Sequence, residues 1–183
     1  STRITASGLL LRFFTSSAIF LSLSVFSLYW MAGEDRALAR VFRGKILGGC
    51  IDTIFDYFDG TRYADSPALC EKYGLFPPAE DWAGRILLLE SSEETPSPEK
   101  YRAALEHLKR AGVLKAVSGI LVGKPQDEVY DAAYRELLVE VVGDPALPIL
   151  CNLPVGHAMP RCILPLGVEA EVDAEAQVIR FLE

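Results

Sequence analysis

Apolar runs alternate with amphipathic stretches along this chain, which specifies an α/β domain built on a small mixed, partly parallel sheet with flanking helices. Three observations carry that expectation. Arg85-Ile-Leu-Leu-Leu-Glu90 is an apolar run closed by a lone carboxylate, and it reads as a buried strand whose last side chain emerges at the carboxyl edge of the sheet. Ser97 to Gly112 follows with apolar residues at helical spacing, and Val117 to Val122 is a second apolar run. Strand, helix and strand in that order form a parallel crossover.

The first thirty residues stand apart from this pattern. Phe13 to Trp30 carries no charge, and back to Gly8 the apolar stretch is broken only by Arg12. A membrane-spanning helix needs about twenty apolar residues, and a secretory signal has a shorter apolar centre behind a basic start. The serines at 16, 17, 22, 24 and 27 lower the hydrophobicity, and the alternation Leu21-Ser22-Leu23-Ser24-Val25 fits a half-buried strand equally well. Packing on protein, membrane insertion or tethering through residues 9–30, and a disordered or irrelevant leader therefore all stay open. The chain starts with Ser, which reads as a cut or unusual start, so residues 1–40 are taken as an atypical segment with a linker and residues 41–183 as the domain.

Within that domain, Asp35 to Phe42 reads as a linker or short helix and Lys45 to Gly49 as a short strand ending in a glycine turn. Ile51, Ile54, Phe55 and Phe58 share one helical face, and Gly60 stops the helix. Thr61 to Pro78 is rich in turn formers and is expected to be an irregular surface passage. Ser97 caps the next helix, with Pro98 in its first turn and Glu99 at the positive end of the dipole. Its inner face is Tyr101, Ala104, Leu105, Leu108 and Ala111, and Gly112 closes it. A further helix is expected from about Asp127 to Val142, then strands at Leu147 to Asn152, Cys162 to Pro165, Val168 to Val172 and Val178 to Leu182.

Charge and cysteine spacing exclude several functions. With 25 acidic against 18 basic residues and no basic cluster interleaved with aromatics, the surface repels phosphate backbones, and nucleic acid is not an expected partner. Cys50, Cys70, Cys151 and Cys162 lie far apart without CxxC spacing, which fits reduced thiols in a cytoplasmic protein better than a zinc knuckle or a disulfide framework. The chain has two histidines, His107 and His157, too far apart for a good ligand set, so no metal and no cofactor is implied.

Glu90 and His157 carry the chemistry. Carboxyl ends of strands are where open α/β sheets hold ligands, which makes Glu90 a site candidate. His157 follows Gly156 between Pro154 and Pro160, so its loop is stiff and its imidazole held. A fixed His beside a buried carboxylate is hydrolase chemistry: the His takes a proton from a nucleophile, while the carboxylate fixes its tautomer and stabilises the imidazolium. His107, between Glu106 and Lys109, is expected on an exposed helix face, and Cys151 lies inside an apolar strand, where a thiol behaves as a small hydrophobe.

The segments GGCIDTIFDYFDGTRYAD (48–65), GRILLLESSEETPSPEKYRAALEHLKRAG (84–112), SGILVGK (118–124) and PILCNLPVGHAMPRCILPLGVEAEVD (148–173) together resemble the carboxyl-terminal domain of the LD-carboxypeptidases, a group that includes the microcin C immunity peptidases. That resemblance, continuous over about residues 41–183, implies a swivelling β/β/α-like domain in a serine peptidase with a Ser-Glu-His triad. Such enzymes cut the L,D amide of murein tetrapeptide during peptidoglycan recycling, or related acyl amides such as microcin-like peptide-nucleotides. It puts the triad carboxylate on Glu90 and the base on His157, and it implies a homodimer. The family's serine belongs to an amino-terminal domain, in a Gly-Tyr/Phe-Ser-Asp turn that has no match here. Ser7 and Ser91 do not fit that turn, so a serine-bearing amino-terminal domain is expected as partner and this chain as one half of the machinery. A non-catalytic module that binds muropeptides or a protein, tethered to a membrane through residues 9–30, is the alternative. Gly48, Gly49, Gly60 and Thr61 resemble a family loop near the substrate and read equally as ordinary turn positions. The acidic loop from Ser91 to Glu94 reads either as a contact for a cationic peptide side chain or as a charged surface loop.

Overall fold

A single ten-residue strand joins the two halves of the sheet. In the computed structural model the strand Val41–Cys50 pairs antiparallel with Glu169–Asp173 through its first five residues and parallel with Ile86–Glu90 through its last five. The structure describes residues 41–182 in full and, before them, the backbone of four short strands: β1 (Thr5–Ala6), β2 (Leu9–Phe13), β3 (Ile19–Ser22) and β4 (Tyr29–Trp30). The strand Val41–Cys50 is β5, followed by β6 (Ile86–Glu90), β7 (Gly119–Gly123), β8 (Ile149–Leu153), β9 (Glu169–Asp173) and β10 (Val178–Phe181). Spatial order is β1-β2-β3-β10-β9-β5-β6-β7-β8-β4, with β5 to β8 mutually parallel and the remaining pairs antiparallel.

The α/β class with a mixed, partly parallel sheet is therefore what the chain forms. Of residues 9–30, for which packing or membrane tethering is expected, 9–13, 19–22 and 29–30 are described, as strands that pair within the sheet, and the other half lies outside the described residues. β3 covers the beginning of the Leu21–Val25 alternation, and the proposed linker at 35–40 is also outside them. Among the described residues no helix is long and apolar enough to cross a membrane.

The unbroken apolar run of β6 has a structural cause: it is covered on both faces. Leu87 and Leu89 enter a core shared with Ile120, Val122, Ile149 and the helices α1 (Ile51–Asp59), α3 (Pro98–Arg110) and α5 (Asp131–Val142). Ile86 and Leu88 enter a second core with Ile46, Leu121, Leu150, Val172, Ile179 and Phe181. Parallel strands covered on both sides lose the alternation that marks a half-exposed strand. The α3 face predicted from periodicity is the buried one, and Ser97 Oγ accepts the Lys100 N–H at 3.3 Å as the cap. Gly60 ends α1 in the left-handed conformation, with φ of 66°.

Several boundaries differ from expectation. Thr61 to Pro78 is not wholly irregular: Ser66–Tyr73 forms α2, an amphiphilically weak helix with one buried residue, Cys70, which leaves little periodic signal. Val41–Cys50 is twice the expected strand, because glycines at 44, 48 and 49 hide its extended pattern, and those at 44 and 48 let neighbouring backbone approach closely. α3 ends at Arg110 with Ala111 as its cap, and Gly112 leads into a short, unexpected helix α4 (Val113–Ala116). Residues 126–128 form a 3-10 turn, so α5 starts four residues later than expected. Cys162 to Pro165 is not a strand: Cys162 N–H bonds Pro154 O at 2.6 Å and the segment covers the second core as an irregular strap.

Candidate active site

Two loops leaving parallel strands meet at one point. β6 ends at Glu90, and β8 runs through Pro154 and Val155 into the turn that carries His157. Glu90 Oε2 lies 2.8 Å from His157 Nδ1 although the residues are 67 apart in sequence. Glu90 is only 8% exposed, whereas the imidazole is 35% exposed and so reaches both its buried partner and solvent. An ionised carboxylate only accepts, so Nδ1 carries the proton and Nε2 is the nitrogen left for proton transfer. Two glycines make the approach sterically feasible. A Cβ at Gly156, whose φ is 89°, would collide with Glu90 Oε2, and a Cβ at Gly123 would lie 2.8 Å from Glu90 Cβ. Glu90 thus sits in a slot whose walls must lack side chains.

A second carboxylate touches the other ring nitrogen. Glu93 Oε2 is 3.0 Å from His157 Nε2, from a loop position that is 62% exposed. Two acceptors facing both ring nitrogens favour imidazolium. The hydrogen bond to Glu90 is the main reason His157 holds its proton more tightly than an ordinary imidazole, with the Glu90 and Glu93 charges adding. Partial burial and the neighbouring Arg161 act in the opposite direction.

The loop after Glu90 is anchored from α1. Asp52 is 4% exposed, and its Oδ2 accepts the Ser92 N–H at 2.9 Å. One helical turn on, Asp56 is also buried; Arg62 reaches its Oδ2 at 3.5 Å and Glu94 Oε1 at 2.9 Å. These bonds hold residues 92–94 against the helix and thereby aim Glu93 at His157.

On the β7 side, a cavity of about 540 Å³ opens beside His157. Its walls come from the turn after β7, with Lys124, Asp127 and Glu128, and from the loop after β8, with Met159 and Arg161. Catalytic bases commonly sit at the mouth of such clefts in α/β sheets.

Residues 43–172 match the family of LD-carboxypeptidase C-terminal domains. The chain belongs to that family. A protein of Synechocystis sp. named for carboxypeptidase activity is 28% identical over 145 residues, spanning 76% of this chain and 42% of its own length. The microcin C7 self-immunity protein MccF of Escherichia coli is 30% identical over 105 residues, 55% of this chain and 29% of its own. An MccF-like protein from Streptococcus pneumoniae, solved in complex with AMP, superposes with a TM-score of 0.78 at 49% identity, covering 84% of this chain and 43% of that one. The chain therefore spans less than half the length of each of these three proteins.

In this LD-carboxypeptidase domain the other expected positions scatter. Gly49 pairs with Leu89, one step before the Cys50–Glu90 pair, and so lies at the edge of the site with open space where a side chain would project. Ser91 is buried directly after Glu90. Gly60 and Thr61 lie at the far end of α1, about 15 Å along its axis from Cys50, where the Thr61 hydroxyl donates to Asp59. His107 is not on an exposed face as its charged neighbours suggested. It is half-buried and stacked on Phe58 with ring centroids 3.8 Å apart, and its burial makes it harder to protonate than an ordinary imidazole. Cys151 is in the core, where burial pushes its thiol up to about 12, so it is not a thiolate nucleophile. Asp52, Gly123 and Arg161 escaped the sequence reading. The one signal for Asp52 was a pair of acids, 52 and 56, spaced one turn apart on the helix face next to Ile51 and Phe55.

Proposed function

We propose that this domain supplies the base and its orienting acid to a serine-type LD-carboxypeptidase-like hydrolase that cleaves peptide amides. The observation that carries the reading is the 2.8 Å contact between buried Glu90 and His157 at the carboxyl ends of parallel strands. In the proposed cycle a serine hydroxyl from an amino-terminal domain displaces Glu93 from Nε2, and the Nε2 proton leaves to solvent so that His157 becomes the neutral base. His157 takes the hydroxyl proton as the oxygen attacks the substrate carbonyl, and Glu90 stabilises the resulting imidazolium. The same proton passes to the leaving amine when the amide bond breaks. Water then repeats the sequence against the acyl-serine, releasing the acid and restoring the hydroxyl.

The substrate in this reading is a murein tetrapeptide L,D amide or a microcin-like peptide-nucleotide. The AMP complex of the Streptococcus relative and the immunity function in the name of the Escherichia relative support the second class. The test combines this chain with a serine-bearing amino-terminal half, in trans or as a chimera with the Streptococcus protein. D-alanine release from tetrapeptide and hydrolysis of an aminoacyl-sulfamoyl adenosine are then followed. Turnover that falls at least about a thousandfold in His157→Ala supports the role. Unchanged turnover in that variant rejects it, and saturable peptide binding with no hydrolysis by any assembled form would assign a binding module instead.

A further inference from the structure

The cavity beside His157 is not used by the proton-transfer couple, and its chemistry points to one half of the substrate. Its walls are the turns that follow β7 and β8, adjacent parallel strands, and its volume of about 540 Å³ falls in the range of small-molecule sites. None of Glu90, Glu93 and Glu94 lines it. Among the described residues four charged side chains other than His157 do: Lys124, Asp127, Glu128 and Arg161. Lys124 Nζ is already spent on Glu128, 2.5 Å away. Arg161 is in a different position. One guanidinium nitrogen donates to Gly156 O at 3.3 Å and Nε points to Met159 Sδ at 3.2 Å, while among the described residues no carboxylate pairs with it. Its planar fork is thus held by its own loop with N–H groups to spare, four residues from the proposed base and close enough to oppose His157 protonation.

We propose that this cavity is the subsite for an anionic group on the substrate, a carboxylate or a phosphate, and that Arg161 is the residue that reads it. A paired Lys124 adds a cation without a net charge, so discrimination falls to Arg161, whose bidentate geometry suits both oxyanions. On a chain of net charge −7 an exposed arginine that pairs with no carboxylate among the described residues, beside the reactive centre, is a local attractor for anions that most of the surface repels. The assignment rests on the hydrolase reading only for its consequence: the anion would lie within one residue of the scissile amide, as a terminal carboxylate or as a nucleotide phosphate. Asp127 on the same wall is the group that would favour a cation instead.

The full chain alone tests this without catalysis. His157 ring and Arg161 side-chain resonances are followed by NMR during titration with N-acetyl-D-alanine, N-acetyl-D-alaninamide, AMP, adenosine and N-acetylcadaverine. Saturable shifts with N-acetyl-D-alanine or AMP are expected, with affinity reduced about 10-fold or more in Arg161→Gln, partly retained in Arg161→Lys and changed less in Lys124→Gln. Preference for the acid over its amide assigns a carboxylate, and preference for AMP over adenosine assigns a phosphate. Equal binding of charged and uncharged members of each pair, anion binding unaltered in Arg161→Gln, or preference for the amine N-acetylcadaverine overturns the proposal. In the assembled enzyme Arg161→Gln is expected to raise KM about 10-fold for an anionic substrate with little change in kcat. Absence of all turnover there would reject the hydrolase reading and leave the binding result to decide the subsite.

Discussion

Glu90→Gln removes a charge and almost nothing else, since the isosteric amide fits the slot bounded by Gly123 and Gly156. A hydrogen bond to a charged group contributes about 1.5–3 kcal/mol and a neutral one about 0.5–1.5 kcal/mol, so the substitution costs about 1–1.5 kcal/mol while His157 is protonated. For a chain of this size that is a fall in Tm of about 2–6 °C. The sign with pH follows from His157 being easier to protonate in the folded state than in the unfolded chain. Its pairing therefore stabilises fully below the ordinary imidazole value of about 6.5 and loses that stabilisation as pH rises through the elevated folded value. The Tm deficit of Glu90→Gln should be largest near pH 6 and shrink by pH 9. Thermal unfolding by circular dichroism measures this directly. NMR supplies the independent readout, because the chain has two histidines. His157 should titrate above an ordinary imidazole and His107 below, with only His157 falling in the variant. A Tm deficit equal at both pH values, or a wild-type His157 that titrates below His107, would refute the reasoning.

Three further outcomes follow from the same geometry. Gly156→Ala places a methyl group against Glu90 Oε2 at a backbone φ of 89°, so it should cost at least about 1 kcal/mol and bring His157 down toward ordinary titration, measured by urea unfolding and NMR. Asp52→Ala strips the buried Ser92 N–H of its acceptor, which should cost about 1–3 kcal/mol in urea titration and weaken the influence of Glu93 on His157. Phe58→Ala uncovers the His107 ring, so His107 should protonate more readily, and the loss of stability on acidification below about pH 6.5 that its burial causes should diminish.

Element types were readable where one physical signal dominated. The β6 run has a single meaning because both faces of that strand are covered, and the α3 face is a clean helical stripe begun by a capping serine. α2 and the full length of β5 were not readable. The former buries one residue along its length, and the latter owes its form to close backbone approach at glycines rather than to a side-chain pattern. His107 shows the same limit, since charged sequence neighbours on a helix do not report an aromatic ring delivered from α1.

By itself the order of residues determined that Glu90 ends a buried strand and that His157 sits in a stiff glycine-proline turn, because strand burial and loop stiffness are local properties. Only the tertiary structure decided that the two touch, that Glu93 takes the second ring nitrogen, and that Arg161 faces a cavity with no carboxylate among the described residues paired to it. Such distances depend on how β6, β7 and β8 align and on what α1 holds in place, and contacts between residues tens of positions apart leave no periodic trace in the chain.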